Sequence, residues 1–160
     1  MDNLASLPGT FCLSKATFAA GTTTTYSTTG TTVYAINGKA YSTAAKTNVA
    51  TPTVDIQDGA AFTGVSANEG CIFIACFDTG GTLRVAQGPI QVLDVSGAFI
   101  LAPQMPVIPD GHAAFGYLII KAGATAVGSW VFGTNNLSSV TGITYTFGDL
   151  ITLPGRPIVS

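Results

Sequence analysis

Short apolar and threonine-rich runs, interrupted by turn residues every few positions, are the feature that most constrains the fold of this chain. Thr, Val, Ile, Phe and Tyr dominate the runs, and these residue types suit the pleated surface of a β-strand. Gly, Pro, Asn and Asp separate the runs, as is typical of turns. No window shows apolar residues at helical spacing over three turns. The pattern therefore predicts an all-β protein.

The clearest local signal is a hairpin at Val33–Ser42. The segments VYAI and KAYS flank Asn37 and Gly38. An Asn-Gly pair tolerates the two positive φ angles of a type I′ turn, whose twist matches that of paired antiparallel strands. This register places Tyr34 opposite Tyr41, and such an aromatic pair stabilises a hairpin.

A second hairpin is predicted around Cys71–Phe77, a run that is apolar at every position. Consecutive residues of a strand point to opposite faces, so both faces of this run need cover, from a second sheet or from a neighbouring subunit. Asp78-Thr79-Gly80-Gly81 then turns the chain into Thr82–Gln87. Cys71 and Cys76 lie five positions apart and point to opposite faces, so we expect them not to form a disulfide with each other.

Further strands complete a set of about ten, whose short, regular spacing predicts a sandwich, jelly roll or barrel. Thr22–Thr32 reads as a threonine-faced surface strand and Ala98–Ala102 as a buried run. His112–Lys121 is expected to place Phe115, Tyr117 and Ile119 on one face. The remaining predicted strands are Thr10–Ala19, Thr53–Gln57, Ala61–Val65, Ile90–Val95, Ser129–Gly133 and Val140–Phe147.

The 160 residues suit a single domain. We expect one β-sandwich or jelly-roll-like domain across residues 1–160, with a core at about 10–150. Residues 1–9 and 151–160 are predicted to be extended N- and C-terminal arms, because both ends lack the alternation of core strands. Thr43–Pro52 and the proline-rich Pro103–Gly111 are predicted to be a loop and an extended connector.

Charge is scarce. Charged residues make up 9% of the chain, against about 25% in an average soluble domain. So few charges oppose self-association only weakly, so we expect much of the surface to be buried against copies of this chain or against a partner. The six cationic residues are scattered singly, so nucleic-acid binding is not expected. The chain has no apolar run of about 18 residues and no signal-peptide pattern, so we expect no membrane partner and synthesis in a cytoplasm.

The sequence offers little for catalysis. His112 is the only histidine and follows a Pro-Asp-Gly turn. A serine or cysteine nucleophile would depend on that histidine, and the chain has no Gly-x-Ser-x-Gly elbow. Cysteine and histidine are not clustered at zinc-binding spacing. Asp55 and Asp58 with Gly59 faintly suggest a calcium loop, but ordinary turn capping is the favoured interpretation. We predict no catalytic, cofactor or metal site.

Two alternatives stay open at this point, a glycosidase site and a surface of tyrosines that binds sugars or bases. A glycosidase needs two carboxylates about 5–9.5 Å apart in a groove. The chain has one glutamate, Glu69, and aspartates that fall mostly at turns or strand edges, so nothing in their spacing requires such a site. Tyr26, Tyr34 and Tyr41 could stack on sugars or bases if exposed. Strand pairing and packing are the favoured roles for these tyrosines.

The segment Pro103–Phe147 resembles a module of tailed-bacteriophage virion proteins. A proline-rich lead is followed by a Gly-Tyr strand, a Phe-Gly-Thr turn with Asn-Leu after it, and a threonine-rich strand. In that group the turn more often reads Pro-Gly-Thr, whereas here Phe132 precedes Gly133. The residues that carry the resemblance are Pro106, Pro109, Gly116, Tyr117, Phe132, Gly133, Thr134, Leu137 and Thr146.

The resemblance implies a non-enzymatic virion structural protein with no catalytic residues to transfer. The group contains capsid decoration (cement) proteins, which are small, all-β and often oligomeric, are made in the host cytoplasm, and sit on the outer face of the shell formed by the major capsid protein. The leading hypothesis is therefore a decoration protein on the capsid surface that forms a homo-oligomer, either a dimer or a trimer. The alternative is a head-fibre or tail-tip module that contacts the host surface. A small carbohydrate-active enzyme is a third hypothesis, and it would need two carboxylates facing one cleft.

Overall fold

The computed structural model describes residues 9–151, and these residues form eleven β-strands and no helix. The predicted all-β fold is confirmed. Apart from Gly9 and Ile151, the two predicted arms lie outside the described residues. The strands are β1 (Phe11–Cys12), β2 (Ala19–Ala20), β3 (Thr25–Ser27), β4 (Thr32–Ile36), β5 (Lys39–Thr43), β6 (Val49–Ala50), β7 (Glu69–Phe77), β8 (Leu83–Gln87), β9 (Gln91–Val92), β10 (Ala113–Ala122) and β11 (Ile143–Asp149).

The largest sheet has five antiparallel strands, with β7 at its centre. Its order is β11-β10-β7-β8, and β9 pairs with the start of β7 beside β8. Phe73 lies opposite Gln87 of β8, and Glu69 lies opposite Val92 of β9. The amide of Gly88 bridges the two short strands by donating to the carbonyl oxygen of Ile72 at 2.7 Å. Strands β8 and β9 therefore form one continuous edge along β7.

The predicted hairpin is present as β4 and β5. Asn37 and Gly38 have φ angles of 51° and 79°, as a type I′ turn requires. Tyr34 pairs with Tyr41, and their rings stack with centroids 5.8 Å apart. The Tyr34 hydroxyl donates to the carbonyl oxygen of Asp78 at 2.9 Å, so the hairpin is tied to the turn that follows β7.

One core joins the sheets. The smaller sheets are β1-β4-β5 and β2-β3-β6. Their buried side chains pack with one face of the large sheet, in which Phe73 and Phe77 are 1% and 0% exposed. Phe73 contacts the rings of Trp130 and Phe132, with centroids 5.8 and 5.1 Å away. This sharing of a core between sheets is consistent with the predicted sandwich, while the jelly-roll topology stays a prediction.

The second face of β7 is also buried, as its sequence predicts. Ile72, Ile74 and Cys76 form a separate apolar cluster that packs against Ile108 and Leu150. Part of the cover on this face therefore comes from the connector Pro103–Gly111, which contains no strand and ends in a turn. Residues 9–151 contain no helix that could span a membrane.

Strand β10 corrects the predicted face. Ala114 pairs with Cys76, but Gly116 pairs with Ala75, so Phe115 is the extra residue of a β-bulge. A bulge shifts the alternation by one residue. Phe115 therefore points into the main core, whereas Tyr117 and Ile119 point to the opposite face.

The bulge is accommodated by a glycine. A Cβ at Gly116 would lie 3.0 Å from the Cβ of Phe18. The Phe18 ring packs edge-on against Phe115, with centroids 5.5 Å apart. Because Gly116 has no side chain, the Phe18 ring has room to pack against Phe115 in the core.

The N-terminal strands are shorter than predicted. Thr10–Ala19 contains only β1 and the first residue of β2, and Thr22–Thr32 contains a turn, β3 and the first residue of β4. The Thr25 hydroxyl donates to the Thr22 carbonyl oxygen, and the Thr22 amide donates to Asn48 Oδ1 at 2.8 Å. Side-chain bonds to the backbone of this kind compete with a strand ladder, which explains why the threonine run is not one strand.

Two other predicted strands, Thr53–Gln57 and Ala61–Val65, are wrong. They are reduced to isolated bridges, Val54 to Ala61 and Val65 to Trp130. The carboxylate of Asp55 accepts the Gln57 amide at 2.8 Å and turns the chain before a ladder can extend. Ser129–Gly133 likewise forms only the Trp130 bridge, although Trp130 and Phe132 are both buried.

Candidate interaction surface

Exposed apolar side chains concentrate in one stretch of the chain. Eleven large apolar side chains are exposed among the described residues, and six of them lie between positions 92 and 107. Scattered exposed apolar residues are normal, whereas a contiguous group marks a contact surface. We call these six the 92–107 band, and each is more than half exposed: Val92, Val95, Ile100, Leu101, Met105 and Val107.

Most of the band is contiguous in space. Ile90, Val92, Ile100 and Leu101 line an open depression of about 290 Å³. Ile90 also lines a groove of about 620 Å³, whose apolar wall includes Met105 and Val107. Because Ile90 belongs to both concavities, the depression adjoins the apolar wall of the groove.

This part of the chain corrects one prediction. Ala98–Ala102 was predicted to be buried, but Ile100 and Leu101 are 61% and 71% exposed. Only Phe99 turns inward, over Gly70, where a Cβ would lie 2.6 Å from the Phe99 ring. One inward aromatic residue holds the segment to the sheet, and its neighbours therefore face outward.

Contacts on both sides hold the segment in place. Leu93 and Phe99 form an antiparallel bridge. Gln91 donates from Nε2 to the Ala102 carbonyl oxygen at 3.4 Å, and its Oε1 accepts the Gln104 amide at 3.2 Å. Further along, Ile108 packs on the second face of β7. The band is therefore held at both ends and in its middle.

Val95 lies at the tip of a tight turn. Asp94 Oδ1 accepts the Ser96 amide, the Ser96 hydroxyl and the Ala98 amide, at 2.8, 2.7 and 2.9 Å. The hydrogen bond from the Ser96 hydroxyl is the main reason that the pKa of Asp94 lies below its ordinary value. Asp94 is also the only charged residue between positions 88 and 109.

The opposite wall of the groove is polar and internally bonded. The Gln87 side chain exchanges two 2.8 Å hydrogen bonds with the backbone of Thr63. Asp55 Oδ2 accepts the Gln87 amide at 3.1 Å, and Asp58 Oδ1 accepts the Ala60 amide at 2.8 Å. The interpretation of Asp55 and Asp58 as turn-capping residues is confirmed. Within residues 9–151, no group of three His, Cys, Asp or Glu side chains could hold a metal ion.

His112 immediately precedes β10. Its Nδ1 lies 3.0 Å from the Asp110 carbonyl oxygen. With Asp55, Asp78 and Arg84 it lines an open depression of about 270 Å³. Arg84 Nε lies 3.2 Å from Asp78 Oδ2. No Ser, Thr, Cys or Lys lines this depression, so it brings no such nucleophile to the histidine.

The three cysteines are buried and free. Cys71 points into the main core and Cys76 into the second cluster, which confirms that they do not pair. Desolvation by burial raises the pKa of both thiols to about 12. Burial is also the main reason that the pKa of Cys12 is raised. All three thiols are therefore protonated near neutral pH and are poor nucleophiles.

The tyrosines and the glutamate have structural contacts. Tyr26 and Tyr34 are each 1% exposed and Tyr41 is half-buried, so packing, the favoured role, is confirmed. Glu69 Oε2 accepts the Ser66 amide at 2.8 Å. Burial opposes ionisation of Asp78, but hydrogen bonds from the Thr82 amide, Arg84 and the Gly80 amide outweigh it and lower the Asp78 pKa.

Comparisons of the chain with protein-family models, with curated proteins and with solved structures find no match. The residues behind the phage resemblance nevertheless have clear structural positions. Gly116 stands opposite Ala75 at the bulge, and Phe132 and Leu137 are buried. Gly133 has a φ of 75°, and a Cβ there would collide with the Pro52 carbonyl oxygen.

The 92–107 band is the surface feature that sequence reasoning missed. One signal for it was present, since a proline-rich run of aliphatic residues with a single charge cannot form an ordinary solvated loop surface. Alternation did not reveal it, because the band does not lie on a long strand.

Proposed function

We propose that this chain is a non-enzymatic structural protein of a tailed-phage virion, and specifically a capsid decoration protein that binds the outer face of the major capsid shell. The observation that carries the proposal is the 92–107 band, an exposed and nearly uncharged apolar surface on a rigid β scaffold. The resemblance across Pro103–Phe147 supports the same assignment, and it includes two residues of the band, Met105 and Val107.

The size of the band is consistent with a contact that depends on several copies. Six large side chains that are more than half exposed amount to an apolar area on the order of 500 Å². At about 25 cal/mol per Å², complete burial would contribute roughly 12 kcal/mol. The loss of translational and rotational freedom on association costs about 4–15 kcal/mol. One band alone is therefore a marginal contact, and an assembly that holds several copies of the chain gains stability through avidity.

Particle stability tests the proposal. Phage particles that lack this protein should lose integrity at a lower temperature, and at a lower chelator concentration, than complete particles. Adding the purified protein back should restore resistance. If particles without it are as resistant as complete ones, the stabilising role is wrong.

A binding experiment separates the decoration role from the alternative. The purified chain should co-sediment with shells of the major capsid protein. If the chain does not co-sediment with the shells but binds host cells or their surface glycans, a head-fibre or tail-tip module replaces the decoration protein as the best assignment.

A further inference from the structure

We infer that the 92–107 band is a self-association surface and that its partner is a second copy of this chain. The inference deepens the proposed function, on which it rests for the assignment of the band as a contact surface. It assigns the band to contacts between copies of the chain rather than to the shell itself. Charge, residue type, rigidity and area each support a second copy.

Charge is the first argument. A two-fold contact brings a surface against itself, so any charge on it meets its own like. Between positions 88 and 109 the only charge is Asp94, and Asp94 Oδ1 already accepts three hydrogen bonds within its own turn. Contact between two copies of the band therefore brings almost no like charges together. A basic or acidic partner would find no complementary charges here.

Residue type is the second argument. The six members of the band are all aliphatic or methionine. Surfaces that bind a different protein reversibly are usually richer in exposed Tyr, Trp and Arg. Permanent contacts, in obligate homodimers and in permanent complexes of different chains, instead resemble a hydrophobic core divided in two. The composition of the band therefore fits a permanent contact between identical chains better than a transient contact with another protein.

Rigidity is the third argument. Phe99 packs over Gly70, Gln91 bonds both Ala102 and Gln104, and Ile108 packs on β7. These contacts fix the backbone on both sides of Ile100 and Leu101, and Met105 and Val107 lie just before Ile108. Little conformational freedom remains to be lost when the surface is covered, and such preorganisation favours association.

Area is the fourth argument. A stable interface typically buries about 800 Å² on each partner. The band exposes on the order of 500 Å², and Ile90, Gln91, Gln104 and Pro106 border the same concavities. The band with this rim therefore approaches the area that a stable dimer needs.

The oligomeric state of the full chain tests the inference. Sedimentation and light scattering should show an oligomer at micromolar concentration. The variants Leu101→Asp and Val107→Asp each place a carboxylate in the contact, and each should weaken association at least tenfold. Val127→Asp is the matched control, because Val127 is 91% exposed and lies outside the band. It should leave association unchanged.

Cross-linking gives a second readout that does not depend on the aspartate variants folding. The three native cysteines are buried, so Leu101→Cys supplies one accessible thiol. A short bis-maleimide should join Leu101→Cys chains into covalent dimers, while Val127→Cys chains should stay uncoupled. A wild-type chain that is monomeric at high concentration, or equal cross-linking of the two variants, would overturn the inference.

The outcomes distinguish this inference from the proposed function. If the band variants dissociate the oligomer but particles without the protein remain stable, the self-association surface holds and the decoration role fails. If the wild-type chain is monomeric and the band variants lose shell binding, the band faces the shell. The self-association surface is then wrong and the decoration role holds.

Discussion

Glycine positions show two different physical requirements at the scale of single residues. At Gly38 the backbone has a φ of 79° and an added Cβ would meet no atom within 4 Å. A side chain there would therefore be disfavoured by conformation alone. At Gly116 the backbone requires no positive φ, but a Cβ would press on Phe18. A side chain there would be disfavoured by packing.

Replacing Gly38 tests the conformational requirement. Gly38→Val should reduce the free energy of unfolding by about 1–3 kcal/mol, because a β-branched residue resists positive φ. Gly38→Asn is the control and should cost clearly less, since asparagine adopts this conformation more readily. Urea unfolding measures both. Equal losses for the two variants would show that the turn does not need its left-handed geometry.

Truncating Phe73 tests the placement of the core. Its side chain is 1% exposed and contacts the rings of Phe62, Trp130 and Phe132. Phe73→Ala should lower the free energy of unfolding by about 3–5 kcal/mol, because it removes buried apolar surface and leaves a cavity. Val127→Ala should change it by less than about 0.5 kcal/mol. A near-zero change at Phe73 would contradict the core described here.

At the scale of elements, β7 is the central strand, and other parts of the molecule pack on both of its faces. Its residues from Gly70 to Phe77 are all buried, because one face meets the main core and the other meets a cluster that includes Ile108. The strand therefore carries two thiols into apolar surroundings from which neither can easily ionise. The free energy of unfolding should therefore fall at alkaline pH, where these thiols would ionise in the unfolded chain.

The sign of that coupling follows from the raised pKa values. Burial raises the pKa of Cys71 and Cys76 from 9.0 to about 12, so the folded chain holds these protons more tightly than the unfolded chain does. Their contribution to stability is fully present below about pH 9 and is lost as the pH rises towards about 12. Tyr26, whose pKa burial raises from 10.0 to about 12, adds to the loss above pH 10.

Cys76→Ala should flatten this alkaline decline. Between the unfolded and folded pKa values each thiol contributes a slope of about 1.4 kcal/mol per pH unit. Removing one thiol should reduce the slope of unfolding free energy against pH by about that amount, whatever constant cost the substitution has. Urea unfolding at a series of pH values above 8 measures the slope. An unchanged slope would mean that Cys76 does not titrate on unfolding.

At the scale of the whole molecule, apolar burial rather than charge holds the fold together. The described part of the chain contains two ion pairs, Lys15 with Asp149 at 3.8 Å and Arg84 with Asp78 at 3.2 Å, and in both pairs the cation is well exposed. Exposed pairs of this kind contribute little to stability. The same scarcity of charge means that few charged side chains beside the 92–107 band would repel those of a second copy.

Stability should therefore respond weakly to salt. Raising NaCl about tenfold from low ionic strength should change the free energy of unfolding by less than roughly 1 kcal/mol, because few charge pairs are present to be screened. Urea unfolding at the two salt concentrations measures the change. A large loss of stability with salt would show that the two ion pairs matter more than their exposure indicates.

The sequence by itself determined the features that depend on local chemistry. Asn37 and Gly38 predict their turn because few other residue pairs adopt two positive φ angles, and the unbroken apolar run at Cys71–Phe77 predicts a strand buried on both faces. Sparse charge predicts a protein that self-associates, and the absence of clustered ligands or nucleophiles predicts no catalytic site. The first two features are present in the fold, and the last two remain predictions.

Only the tertiary structure decided where individual side chains point. The bulge at Phe115 exists because β10 must match both β7 and the ring of Phe18, and no local pattern records that match. Ile100 and Leu101 face outward because Phe99 and Ile108 occupy the positions against the sheet. Exposure depends on which distant residues arrive as cover, and alternation along one strand carries no information about them. For that reason the proline-rich aliphatic run of the 92–107 band did not by itself show which of its side chains are exposed.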